Sequence, residues 1–203
     1  MRLPERIVLA TNNPKKLAEL RRMLDAGGVG VEVLGLADLA RYPEPEETER
    51  TFEGNAFLKA TAAARETGLV AVADDSGLEV DELNGMPGVR SARWAGPACD
   101  DEDNNALLLA QLDGVPAERR TARFVCALAM VTPDGERLVW HGRMPGRIGD
   151  APAGENGFGY DPLFIPAGLE VSSAELTPAE KDSISHRGIA VSAFVSYLAG
   201  LES

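Results

Sequence analysis

The chain has 203 residues, a length that suits one large domain or two closely joined lobes, and its 44% hydrophobic and 26% charged residues are those of an ordinary globular protein. A formal net charge of −12 argues against a broad nucleic-acid-binding face, because a strongly acidic surface repels a polyphosphate backbone. No segment approaches the ~20 apolar residues that span a bilayer, and MRLPERIVLAT has no stretch of signal-peptide type. Cys99 and Cys126 form no C-x-x-C pair, so neither a thiolate zinc site nor a redox pair is expected, and the expected location is the cytoplasm.

In chain order, IVLA at Ile7–Ala10 reads as a short buried strand. Asn13 suits an N-cap and Pro14 the first helical position, and Leu17, Leu20 and Leu24 follow at helical spacing, which predicts a helix over 14–26. A second strand is expected at 31–36 and a Pro- and Glu-rich loop at 41–50. A helix over 51–66 follows, stopped by Gly68, with Phe52, Ala56 and Ala60 on one face. VAVA at 70–73 is another short strand, read as ending in the turn formers Asp74-Asp75-Ser76-Gly77, with 78–80 extended beyond. Residues 84–99 read as a loop, 100–112 as a helix, and 121–132 and 136–144 as strands joined by Pro133-Asp134-Gly135. A Gly-rich loop at 149–162 precedes Thr177-Pro178-Ala179-Glu180, a capping box that opens the final helix, on which Ala190, Phe194 and Leu198 share a face. This order predicts an α/β fold with a mixed sheet whose first strands are parallel.

Five groups of residues carry chemistry. Thr11, Asn12, Asn13, Pro14, Lys15 and Lys16 place hydroxyl, amide and ammonium donors where a strand meets a helix N-terminus, a setting that favours phosphate, although the same residues also make a plain helix cap. Asp74 and Asp75 offer the hard oxygen ligands that suit Mg²⁺, and Glu46 or Glu47 from the acidic loop is a partner for Asp75. In Gly157-Phe158-Gly159-Tyr160-Asp161-Pro162 the glycines let the backbone approach a flat ligand, Phe158 can stack on a base and Asp161 can bond its edge; a packed turn is the alternative. In Ser185-His186-Arg187 the His186 and Arg187 donors can grip a purine carbonyl, and Lys181, four residues before Ser185, can contact the base or the phosphates, whereas His141 reads as structural. A single site histidine without a cysteine site argues against a zinc hydrolase.

TNNPKK, EETERTFEGNA, ADDSGLEVD, PGVRSARWAG, PAGENGFGYDPLF and AELTPAEKDSISHRG together resemble the inosine/xanthosine triphosphate pyrophosphatase (Ham-type) family, in order and spacing, from about Ile7 to Leu198. The resemblance implies a single ITPase-like α/β domain over 1–203, elongated and two-lobed around a long mixed sheet, with the active cleft between lobes, and a homodimer. It implies hydrolysis of ITP, dITP and XTP to the monophosphate and pyrophosphate with Mg²⁺. It assigns the triphosphate to Thr11, Asn13, Lys16 and Lys59, the metal to Glu47 and Asp75, and the general base to Asp75. It further implies that Ser76 lies beside the substrate and that Phe158, Gly159, Tyr160, Asp161, Lys181, His186 and Arg187 bind the nucleoside. Asn12 stands where many relatives carry Gly, and Asn tolerates unusual turn geometry. Two rival readings are a nucleotide sensor without hydrolysis, whose mark would be a lost carboxylate, and a Mg²⁺-dependent phosphatase acting on another nucleotide.

Overall fold

The computed structural model describes residues 2–39 and 45–201. Residues 41–44 of the expected acidic loop therefore lie outside the described residues. Among the described residues seven strands form one sheet in the order β2-β1-β3-β5-β6-β7, with β4 paired to β3. They are β1 (Arg6–Leu9), β2 (Glu32–Gly35), β3 (Val70–Val80), β4 (Met86–Pro87), β5 (Thr121–Val131), β6 (Arg137–Ile148) and β7 (Phe164–Pro166). The helices are α1 (Pro14–Ala26), α2 (Phe52–Thr67), α3 (Asp101–Gln111), α4 (Pro178–Ile184) and α5 (His186–Ala199). β1 lies parallel to both β2 and β3, while β4 on β3 and β7 on β6 are antiparallel, so the sheet is mixed as expected.

The chain divides into two compact units. The first comprises Met1–Asp75, Ala127–His141 and Ile189–Ser203. Its apolar interior is built from Ile7, Val8 and Leu9 of β1, Leu20 and Leu24 of α1, the alanine face of α2, and Phe194 and Leu198 of α5. Trp140 packs against Phe194 and Tyr197 at 5.1 and 5.2 Å between ring centres. The second unit comprises Ser76–Cys126 and Gly142–Gly188. Its core gathers Leu78, Val80, Leu108, Leu112, Phe124, Tyr160, Leu163 and Phe164. Within it the Arg120 guanidinium bonds three carbonyls, Leu112 O at 3.0 Å, Val115 O at 2.9 Å and Gly149 O at 3.2 Å, which ties the end of α3 to the start of the Gly-rich loop.

Local chemistry explains most boundaries. Asn13 caps α1 with Pro14 at its first position, and Thr51 caps α2 through the Gly54 N–H at 3.0 Å. Gly68 ends α2 with φ 69°, a left-handed conformation that glycine takes at no steric cost. Three expectations need correction. β3 runs unbroken through Asp74-Asp75-Ser76-Gly77, so both carboxylates sit in mid-strand; the turn preference of these residues yields because tertiary partners, described below, satisfy both side chains. The expected final helix is two helices, since Ser185 between them is extended (φ −67°, ψ 148°) and its hydroxyl accepts the Gly188 N–H at 2.9 Å. The 84–99 loop contains β4 and a 3₁₀ helix at Gly88–Arg93, and β7, at three residues, is too short to announce itself by pattern. Among the described residues no helix is long and apolar enough to cross a membrane.

Candidate active site

Two groups of residues stand out, one in each unit. The first begins where β1 gives way to α1. Asn13 accepts the Lys15 and Lys16 N–H groups at 2.9 and 3.4 Å, and Thr11 Oγ1 accepts the Asn13 N–H at 3.2 Å. The backbone N–H groups of Lys15 and Lys16 at the helix start are therefore already capped. What the turn presents is side chains: Asn12, Pro14 and Lys15 are exposed, and Thr11, Asn13 and Lys16 half-buried. Lys16 Nζ lies 2.6 Å from Asp74 Oδ2, whose side chain is 1% exposed.

Asp75, the next residue along the strand, is met by different partners, as alternating side-chain directions in a strand require. Asn55 Nδ2 donates to Asp75 Oδ2 at 2.9 Å, and Lys59 Nζ stands 3.7 Å from Asp75 Oδ1 and 3.0 Å from Glu47 Oε1. Asn55 and Lys59 are four residues apart on α2, one turn along the same face, which is why both reach one carboxylate. Glu47, not Glu46, makes this contact, while Glu46 is exposed. Asn55 is fully buried and also accepts the Glu49 N–H through Oδ1 at 3.0 Å. Gly54 keeps the loop close, since a Cβ there would fall 2.7 Å from Glu49 Cβ.

The charges interact. Burial raises the pKa of Asp75 and Glu47 adds to the rise, while Lys59, Asn55 and Lys16 oppose it without cancelling it. Burial works against the charge of Lys59, but Asp75 and Glu47 outweigh it and its pKa ends raised. Glu47 and Asp75 converge on one cation already, and their hard oxygens are the donor type that Mg²⁺ takes, so the residues present fit that ion.

The second group surrounds a pocket of about 120 Å³ lined by Ser76, Gly77, Ser91, Asp101, Phe124, Phe158, Gly159, Tyr160, Asp161, Lys181 and His186, among others. Phe158 is 57% exposed, and the Lys181 ammonium lies 5.2 Å from its ring centre. Asp161 is buried and holds the loop from inside, accepting the Phe158 N–H at 2.9 Å and pairing with Lys181. Gly157 takes φ 81° and a Cβ there would fall 2.1 Å from Asp161 Oδ2, so only glycine fits. Tyr160 donates to Ser91 O at 2.8 Å, and burial, then the charge of Asp101, pushes its phenol well above the ordinary range and keeps it a donor. His186 stacks on Phe124 at 4.9 Å and 13°, and Arg187 beside it is buried at the start of α5.

Sequence reading missed three participants. Asn55 is one. The others are Asp101 and Asn105 of α3, which hold both ends of Gly159: Asp101 Oδ2 accepts its N–H at 2.7 Å and Asn105 Nδ2 donates to its carbonyl at 2.9 Å. The available signal was helical spacing, since each pair, 55 with 59 and 101 with 105, repeats at one turn. His141, read as structural, pairs with Glu53 at 3.2 Å.

The Ham1 family model matches residues 7–197. The dITP/XTP pyrophosphatase of Nocardia farcinica is 59% identical over 197 residues, covering 97% of this chain and 96% of that protein. A protein of the same description from Frankia alni is 59% identical over 190 residues, covering 91% of this chain and 93% of its own. The solved structure of the nucleoside-triphosphatase / dITP/XTP pyrophosphatase from Mycobacterium abscessus is 56% identical with a TM-score of 0.80, covering 93% of this chain and 98% of that one. The Staphylococcus aureus Ham1 protein, 42% identical over 96% of this chain and 98% of its own, has a TM-score of 0.88. With likeness of sequence and fold along nearly its whole length, the chain belongs to the Ham1 family.

Proposed function

We propose that this protein hydrolyses non-standard purine nucleoside triphosphates (ITP, dITP, XTP) to the monophosphate and pyrophosphate, and so cleanses the nucleotide pool. The observation that carries this reading is the convergence of Glu47 and Asp75 on one buried cationic position, with Asn55 and Lys59 holding Asp75 in place. Relatives at 59% identity bear the description dITP/XTP pyrophosphatase. Glu47 and Asp75 would hold Mg²⁺, which when bound neutralises charge on the phosphate oxygens.

The chain's own residues do the rest. Thr11, Asn13, Lys16 and Lys59 grip the triphosphate, with Asn12, Pro14 and Lys15 shaping and charging the same turn. Asp75, its pKa raised by burial, takes a proton from the water whose oxygen attacks the α-phosphorus; the bond from that phosphorus to the bridging oxygen breaks and pyrophosphate leaves. Ser76, the next residue on β3, touches the nucleoside side of the substrate. The base stacks on Phe158 over the Gly159-Tyr160 turn, with Lys181 and Asp161 beneath. His186 and Arg187 donate to the C6 carbonyl of hypoxanthine or xanthine. Facing the amino group of ATP these donors would lose their acceptors in a closed pocket, a mismatch that can reach 10⁴-fold in sites built around hydrogen bonds. We assign the protein to the cytoplasm and to a homodimer.

The test is product analysis with ITP and ATP side by side, with Mg²⁺ and with chelator. IMP plus pyrophosphate from ITP alone, abolished by chelator, is the expected result. Equal turnover of ATP would overturn the base-reading roles of His186 and Arg187, and release of single phosphate would overturn the bond assignment.

A further inference from the structure

We infer that Asn55 is a positioning residue that locks the two acidic segments of the first unit into one working geometry. Its single amide grips both at once: Nδ2 donates to Asp75 Oδ2 at 2.9 Å, and Oδ1 accepts the backbone N–H of Glu49 at 3.0 Å, two residues beyond Glu47. The orientation of the amide is forced, because a carboxylate takes only a donor and a backbone N–H only an acceptor. Few side chains meet both demands. Asp has the shape but no N–H, Leu has neither group, and Gln is one methylene too long for a site with 0% exposure.

The position in the helix makes the grip stiff. Asn55 lies in the first turn of α2, flanked by buried Phe52 and Ala56, and Thr51 caps that turn. Gly54 lets the 45–50 segment lie against the helix start, where a Cβ would fall 2.7 Å from Glu49 Cβ and 2.9 Å from its Cγ. One turn on, Lys59 contacts Asp75 Oδ1 and Glu47. Asp75 is thereby held at both oxygens by side chains from one helix face: Oδ2 is fixed by a neutral donor, and Oδ1 is the oxygen turned toward the Glu47 side. Asn55 itself is wholly buried, with both ends of its amide engaged by protein partners. It sets where Asp75 points and how far the Glu47 segment stands from it.

The inference rests on the proposed reaction for its kinetic arm, and a second arm needs no nucleotide. In Asn55→Ala the amide is gone and a small void replaces it. The expected result is kcat for ITP lower by about 10²-fold with KM within about threefold, and Mn²⁺ affinity of the nucleotide-free protein weaker by about tenfold, the range seen when a residue supporting metal ligands is removed. Asn55→Asp keeps the shape and loses the donor, so it guards against a variant that merely fails to fold; with a native melting transition it should still lose kcat by a comparable factor. Wild-type kcat in Asn55→Asp, or unchanged Mn²⁺ affinity in folded Asn55→Ala, overturns the inference. A wild-type protein that released only single phosphate would instead strike the proposed reaction, and the Mn²⁺ titration would still decide the role of Asn55.

Discussion

The ammonium of Lys16 and the carboxylate of Asp74, 58 residues apart in sequence, stand 2.6 Å apart with the acid almost wholly buried. A lysine that we propose grips phosphate thus has a structural duty as well. Lys16→Ala leaves a buried carboxylate without that partner, and breaking such a pair from one side costs about 3 kcal/mol. Chemical denaturation of Lys16→Ala should show that loss, and Lys16→Ala/Asp74→Asn should recover most of it. If the single variant is as stable as wild type, the pair contributes nothing to folding.

Asp75 gives a pH dependence of definite sign. Its pKa in the folded protein is raised, by burial first, above that of an unfolded carboxylate. The folded state therefore binds this proton more tightly, and the group's stabilising contribution is full below the ordinary carboxylate value and lost as pH rises through the raised one. Asp75→Asn removes that loss. Thermal unfolding between pH 4 and about pH 8 should show the variant gaining on wild type as pH rises, while its hydrolysis of ITP disappears. Parallel melting profiles for the two proteins would contradict the burial argument.

Phe158 separates binding from folding. At 57% exposure its ring adds little to the core, so Phe158→Ala should change stability by no more than about 0.5 kcal/mol. Stacking on a base is worth about 1–3 kcal/mol, so KM for ITP should rise about tenfold or more. Steady-state kinetics beside a melting curve checks both halves, and an unaltered KM would remove the ring from the substrate site.

The hold of α3 on Gly159 should set selectivity. Asp101→Ala frees the Gly159 N–H and Asn105→Ala frees its carbonyl. Each should lower kcat/KM for ITP about tenfold and narrow the ratio of ITP to ATP turnover, because the loop bearing Phe158 and Tyr160 loses its register. Competition assays with both nucleotides measure that ratio. A uniform loss for ITP and ATP would mean that α3 supports folding alone.

What was legible in the sequence follows how far each decisive partner lies along the chain. The start of α1 is read correctly because Asn13 caps Lys15 and Lys16, two and three residues on. The choice of Glu47 over Glu46 follows from the family resemblance, and the contact with Lys59, twelve residues away, agrees with it. Asn55 escapes notice because its partner is 20 residues distant, and Asp101 because Gly159 is 58 distant. The Asp74–Gly77 turn is misread for the same reason: its local propensity is real, but the groups that hold β3 straight come from α1 and α2. Ser185 is a different failure, since the Ser185–Gly188 cap that starts α5 is local and sits within the quoted SISHRG segment.

Arg120 carries a consequence for which sequence changes this fold can absorb. Its three carbonyl partners lie in diverging directions, one at the end of α3, one just beyond it and one at Gly149. A planar fork with five N–H groups reaches all of them, whereas lysine offers a single nitrogen. The exchange of Arg for Lys, mild on most surfaces, would here take donors from carbonyls at Val115 and Gly149, while Leu112 O would keep the Val115 N–H. Drift at this site is closed to lysine even though charge and length are nearly kept.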